Sequence, residues 1–440
     1  MVTAVAALAL IAASTGIATE ARADPVVVIT LTGSGATSSA TSGVSIDGST
    51  VTITAPGDYQ LSGTLADGRI LVQATEADDV NLIFNGISIA NSTGPAISIT
   101  IARTVTVTLP AGTDNTLSDA ESYPAAENAN AALFSTEDMT ITGTGSLSVR
   151  GNYRDGIAGK DTLTIESGTI DVIASDDGIR GKDYLHLTGG SITVTASSHG
   201  LTSTNKSDPA LGYISIDGGT VDVTAGADCL HAVTDITVAG GSQTLSCGDD
   251  AVHGGSTVSV SAGTVDITRS AEGLEALQVL LSGGTVTVTS TDDGINTVED
   301  GLVEGAVSIR ALAEVSGGTV VVNAGTDGFD SNGSIEFSGG VTVVNGPVTG
   351  TTDEAALDAN GAITFSGGTV LAAGILGSTR EPAASSVQGF LDATFGAVQP
   401  PGTIVHIVSD AGTDLATFRS NKQFRGLVFS SDQIIARQTY

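Results

Sequence analysis

The chain has 440 residues and a formal net charge of −32, from 48 Asp and Glu against 16 Lys and Arg. So acidic a balance works against nucleic acid and anionic membrane surfaces as partners and favours cations. Gly fills 57 positions, about double the average usage of roughly 7%, while Trp is absent and aromatic residues make up 4%. Thr, Val, Ile and Ser occupy most of the space between the glycines, a mixture that favours strands and tight turns around an aliphatic core.

The first residues, MVTAVAALALIAASTGIATEARAD, carry an apolar run over 2–13 that leads to Ala21-Arg22-Ala23. This A-x-A pattern predicts a signal peptide over 1–23, cleaved near Ala23. The usual basic leader is missing, and a start codon farther upstream is one expectation. No later segment is apolar enough to span a membrane. The expected product is secreted, free or held at the cell surface, with no membrane insertion.

Residues 24–373 read as one repeat domain, with coils recognisable from Val44. The beat is loose at first, in VNLIFNGISIANSTGPAISITIARTVTVTLPAGTDNTLSD, and clear from Asp155 on. Asp155, Asp177 and His199 follow one another at steps of 22 residues, and Asp228, Asp250, Glu272, Asp293, Asp327 and Ala355 continue the column. A Gly-Gly signature keeps the same beat, in LTGGSITV, IDGGTVDV, LSGGTVTV and VSGGTVVV. Longer steps coincide with insertions at 204–213, 299–312 and 348–354. Each unit reads strand, Gly turn, strand, acidic turn, short strand, as in TLTIESGTIDVIASDDGIRGK (162–182). Apolar residues alternate with Thr, Ser or Asp, so each strand buries one face. A ~22-residue unit cannot bury that face alone but can when stacked on its neighbours. The predicted fold is all-β: a parallel β-solenoid with strands paired ~4.8 Å apart. Residues 374–440 shift in composition, hold two strand-like runs, TIVHIVSD and GLVFSSD, and are expected to form a C-terminal β cap over the open strand edges. Cys229 and Cys247 fall on adjacent repeats, four positions out of step. Export permits a disulfide, and paired or free they read as structural.

In a solenoid, equivalent residues stack. The acid column is joined, three residues on, by a second polar column of Arg180, His231, His253, Glu275, Asn296, Asp330 and Asp358. Asp-Gly is a turn pair, and an Asp there can bond its own backbone. That accounts for part of the first column but not for Glu275, Asp330 and Asp358. Glu272, Glu275, Asp293, Asn296, Asp327, Asp330 and Asp358 gather oxygen side chains over four coils, with Asp177 and Asp250 in the same first column. Calcium takes six to eight oxygen ligands, and these residues are the candidate Ca2+ ligands. Neither an EF-hand loop nor the glycine-rich calcium nonapeptide is present.

With these residues in view, the chain resembles a bacterial family of secreted carbohydrate-binding-domain proteins whose fold is a right-handed parallel β-helix similar to pectate lyases. The resemblance rests on GNYRDGIAGKDTLTIESGTI, SDDGIRGKD, IDGGTVDV, SAEGLEA, TDDGIN, DGFDSNGSIEFSGG and ALDANGAITFSGGTVLAAG, and covers 44–430. At GADCLHA and DEAALDANG the acid-Gly pair is lost. The resemblance implies extracellular binding of plant cell-wall polysaccharide, cellulose or acidic pectin-type chains such as polygalacturonate, with bound calcium.

Two kinds of function follow. A non-catalytic, monomeric carbohydrate-binding protein would hold an anionic polymer through calcium bridges and a few basic groups. Arg154, Lys160, Arg180, Lys182, His231 and His253 are the basic candidates, and Tyr153 (with Tyr184) is a candidate for stacking on sugar rings. The missing Trp argues against a flat aromatic platform. A calcium-dependent polysaccharide lyase would instead need a base to remove the proton alpha to a uronate carboxylate. Lys160 or Lys182 could serve, but no motif pins the base, so no catalytic residue is assigned and binding is the favoured reading. A structural or adhesive surface protein is a third.

Overall fold

The computed structural model describes residues 25–303, 305–348, 354–375, 382–435 and 438–440. The expected signal peptide lies outside them. Every regular element among the described residues is a strand, and no helix is long and apolar enough to cross a membrane.

The coil first read from TLTIESGTIDVIASDDGIRGK folds as three strands, Thr162–Ile165, Thr169–Ala174 and Ile179–Gly181. Each pairs in parallel with its counterpart in the next coil. Leu163 lies beside Leu185, Val172 beside Val194, and Ile179 beside Leu201. The result is three stacks of parallel strands around a continuous aliphatic core. One inward file runs Leu163, Leu185, Ile214, Ile236, Val258, Val279, Ala313, Ile335 and Ile363, each at most 1% exposed. Full burial of such a side chain is worth about 1.5–3 kcal/mol. Toward the C-terminal end the core turns aromatic: Phe337 stacks on Phe365 and meets Phe329 edge-on, with ring centroids 5.5 Å apart in both pairs.

Two kinds of glycine make this stacking feasible. The second Gly of each Gly-Gly turn is left-handed, as at Gly284 (φ +73°), a conformation other residues adopt only with strain. The Gly after each acid has a different role. At Gly178 φ is not left-handed; a Cβ there would run into Val194 Cγ1 and lie 2.6 Å from the Gly200 carbonyl oxygen. Close approach of the next coil, not a turn conformation, explains the acid-Gly pair.

The ends differ from expectation. Coils begin before Val44: strand Val27–Gly33 pairs in parallel with Gly57–Leu65, and Val44–Asp47 forms an antiparallel hairpin with Thr50–Ile53. Among the described residues the tail holds four strands rather than two. Phe424–Ser430 pairs antiparallel with both Ile363–Gly374 and Phe390–Gln399, and Ile404–Val408 forms a separate hairpin with Asp414–Arg419. Phe424–Ser430 thereby covers the last coil's exposed edge. Cys229 and Cys247 are joined by a disulfide inside the core.

Gly178→Ala places a methyl group where Val194 already packs, and overpacking of this kind costs about 1–3 kcal/mol. A lowered thermal midpoint is expected, partly restored when Val194→Ala is added. An unchanged midpoint for the single variant would contradict the close-approach account.

Candidate functional site

The short strands Ile179–Gly181, Leu201–Ser203 and Leu230–Ala232, with their equivalents, carry both polar columns. Ile157, Ile179, Leu201, Leu230, Val252, Leu274, Ile295, Phe329 and Leu357 pair in sequence. The acids two residues before them share one edge. The residue after each apolar position forms the second column, in which Arg180, Thr202, His231, His253, Glu275, Asn296 and Asp330 are direct register neighbours.

First-column acids are tied to the next coil rather than to their own turn. Asp177 accepts the backbone N–H of His199 at 3.1 Å, Asp228 that of Asp250 at 3.1 Å and Asp293 that of Asp327 at 2.9 Å. Asp327 likewise accepts from Ala355 N–H. In these four coils one carboxylate oxygen thus takes up a backbone donor of the next coil.

Along the face, compensation of these charges changes. Asp155 is fully buried, pairs with Arg180 and accepts from Asn130 Nδ2 at 2.6 Å. Burial pushes its carboxyl up to about 7 against the pull of Arg180. Asp177 also faces Arg180 (3.3 Å) and His199 Nδ1 (3.1 Å). Burial raises its pKa, but the His199 hydrogen bond and the Arg180 charge outweigh that and hold it below the usual range. Asp228 is also held low, its burial outweighed by the hydrogen bond and charge of His231. His253 lies 3.0 Å from Asp250 and 3.3 Å from Glu275, and the bond to Asp250 carries it up to about 9.

Beyond His253 no basic partner follows in the column. Of the seven oxygen residues expected over the last four coils, five fall into two groups, the first completed by Asp250, while Asp293 and Asn296 stand outside both. Asp250, Glu272 and Glu275 form the first, with mutual oxygen separations within 4.8 Å; Asp327, Asp330 and Asp358 form the second under the same limit. Asn296 donates its amide to Glu272 (2.9 Å) and Glu275 (3.1 Å). Asp293 is engaged by Thr326 and by Asp327 N–H. Burial, reinforced by Glu275, pushes Glu272 up to about 8. Burial, reinforced by Asp293, Asp330 and Asp358, carries Asp327 up to about 8 despite the Ala355 N–H. Carboxylates crowded in this way favour either a proton or a cation. All-oxygen groups of this density suit a hard cation. Val298, Glu299, Asp300 and Arg310 wall a cleft of about 200 Å³ beside His253 and Glu275, braced by an Arg310–Glu299 ion pair of 2.9 Å.

The remaining predicted residues lie away from these groups. Tyr153 stacks on Tyr123 (4.4 Å) with Arg154 over its ring, and Tyr184 stacks on Tyr213 (5.1 Å). Lys160 lies 5.9 Å from the Phe134 ring centre, its pKa lowered by burial and by Arg180. Lys182 is 3.6 Å from Asp183. Tyr123, Tyr213, Asn130 and Thr202 were not singled out by the sequence. Tyr213 and Thr202 could have been, since each falls on the repeat; Tyr123 and Asn130 precede its regular part.

A family model described as a carbohydrate-binding domain-containing protein matches residues 47–311. A carbohydrate-binding domain-containing protein of Acetivibrio thermocellus is 39% identical over 136 residues, which is 30% of this chain and 48% of that protein. The match thus spans about half of that relative's length. Among solved structures, the polysaccharide lyase-like protein from C. thermocellum, a gadolinium derivative, superposes with a TM-score of 0.50 at 33% identity, over 50% of this chain and 91% of that one. The acid-bearing repeats from Asp155 to Asp293 fall inside the matched span, and the chain belongs to the family of carbohydrate-binding domain-containing proteins.

Proposed function

We propose that the chain is a secreted, non-catalytic protein, built on a right-handed β-helix of ~22-residue coils, that binds acidic plant cell-wall polysaccharide through calcium. The observation that carries this reading is the pair of oxygen-only groups, Asp250/Glu272/Glu275 and Asp327/Asp330/Asp358. Three carboxylates offer up to six oxygens, and water or ligand oxygens complete the six to eight that calcium takes. Bound calcium would neutralise the face and present open coordination positions to a uronate carboxylate. Acidic chains suit the face better than crystalline cellulose, because the stacked tyrosine pairs cover each other's ring faces.

A lyase is the second reading, favoured by one observation: burial and Arg180 lower the pKa of Lys160, as a general base requires. Four coils separate its level, that of Asp155, from that of Asp250, about 19 Å at the spacing of paired strands. A base so far from the cation groups cannot act on a uronate held there.

Co-sedimentation with polygalacturonate is expected in calcium and not in chelator, with no rise in ultraviolet absorbance from unsaturated product. Glu275→Gln and Asp330→Asn should each weaken calcium binding, measured by titration calorimetry, by about tenfold, one to two kcal/mol for a lost charged ligand. An absorbance rise abolished by Lys160→Ala would replace binding with catalysis; neither complex nor product would remove both readings.

The raised carboxyls also set a pH dependence. Glu272 and Asp327 hold protons more tightly folded, at about 8, than unfolded, near 4. Their stabilising contribution is complete below pH ~4 and is lost as pH rises toward 8. His253, raised to about 9, acts in the same direction above pH ~6.5. In chelator the thermal midpoint should therefore fall between pH 5 and 9, and calcium should restore it most at the alkaline end. A midpoint rising with pH in chelator would contradict the crowding of these groups.

A further inference from the structure

We infer that a second, nitrogen-containing metal site lies earlier on the same face, formed by His199, Asp228 and His231 and selective for a borderline divalent ion of the zinc class rather than calcium. One imidazole nitrogen from each histidine and a carboxylate oxygen of Asp228 lie within 4.8 Å of one another. Asp228 Oδ2 is the hub, 2.7 Å from His231 Nδ1 and 3.6 Å from His199 Nε2. Zinc bonds of about 2.0–2.2 Å in tetrahedral geometry require ligand atoms roughly 3.4 Å apart, so the two separations bracket the need. Small shifts of two side chains that are each about a quarter exposed would close the site.

The surroundings fit a ligand role. His199 turns its other nitrogen, Nδ1, to Asp177 Oδ1 at 3.1 Å. A carboxylate behind an imidazole in this way fixes the tautomer and leaves Nε2 with a free electron pair toward the metal. In the neutral ring that pair faces the Asp228 oxygen at 3.6 Å, a contact that either a metal ion or a proton on Nε2 would satisfy. The His199 and His231 rings are 4.6 Å apart and tilted by 39°, so their edges are not held parallel as in a simple stack. Beside them, in register with His231, the Thr202 hydroxyl is 1% exposed and has no hydrogen-bond partner. An ion carrying a water in its fourth position would offer that hydroxyl a donor and an acceptor. Imidazole suits zinc, copper and nickel, whereas carboxylate and carbonyl oxygen suit calcium. This site and the oxygen-only groups therefore sort two classes of cation along one face, and the inference does not depend on calcium binding further on.

The test is titration of calcium-saturated full chain with Zn2+ at pH 7.5 by calorimetry, and with Co2+ by visible absorption. One Zn2+ per chain should bind in the presence of excess calcium, and Co2+ should give the intense bands of a four-coordinate nitrogen-containing site. His199→Ala and His231→Ala should each abolish binding. Asp177→Asn, which removes only the orienting carboxylate, should weaken it about 10- to 100-fold. His406→Ala, remote from the face, should leave it unchanged. The Co2+ spectrum of the unaltered protein decides the matter even if a variant fails to fold. Absence of Zn2+ binding, competition by calcium, a six-coordinate Co2+ spectrum, or retention of the site in the doubly substituted His199→Ala/His231→Ala chain would each overturn the proposal.

Discussion

In-register pairing of each strand with its counterpart one coil away is the constraint on which the rest of this molecule depends. It fixes the separation of equivalent side chains at about 4.8 Å. For apolar residues that distance yields continuous packing, as in the file from Leu163 to Ile363. For charged residues it creates a problem: two carboxylates at that spacing repel by about 3 kcal/mol at an effective dielectric near 20. The face resolves the conflict differently along its length. Arg180 lies between Asp155 and Asp177, histidines accompany Asp177, Asp228 and Asp250, and Glu272 and Asp327 are left to retain a proton or take a cation.

The same backbone positions are thus written with three chemistries in succession: guanidinium with carboxylate, imidazole with carboxylate, and carboxylate with carboxylate. Because the scaffold repeats, the polar chemistry of one level varies while the apolar file beneath it continues unchanged. A surface of repeating levels is matched in form to a long polysaccharide. The 299–312 insertion interrupts the regularity beside His253 and Glu275, where the basic and oxygen-only stretches meet.

Much of this was legible in the sequence, since a stacked fold writes its geometry as a period. The 22-residue beat placed Asp177 over Asp155 and Asn296 beside Glu275, and the pairings agree. The beat also carried through the 204–213 and 299–312 insertions, because chain added between strands leaves register untouched. Side-chain direction, which period does not encode, was not legible. The separation of the acids into two groups follows from Asn296 turning toward Glu272 and Glu275 while Asp293 turns toward Thr326. In sequence an acid-Gly pair looks like a turn, whereas at Gly178 and Gly294 the approach of a valine from a neighbouring strand excludes a side chain. The tail's strand Phe390–Gln399 alternates only between exposed and half-buried positions, so its apolar pattern gave no clear signal.

The Cys229–Cys247 bond has a mechanical consequence. A solenoid pulled from its ends loses coils one after another, each releasing its full length of chain. The cysteines are 18 residues apart, so the segment between them stays looped when its coil comes away. About 60 Å of extension is withheld, at 3.3–3.6 Å per extended residue. A protein fixed to a polymer under load would stop lengthening by that amount midway along its body, close to the levels where the histidines stand.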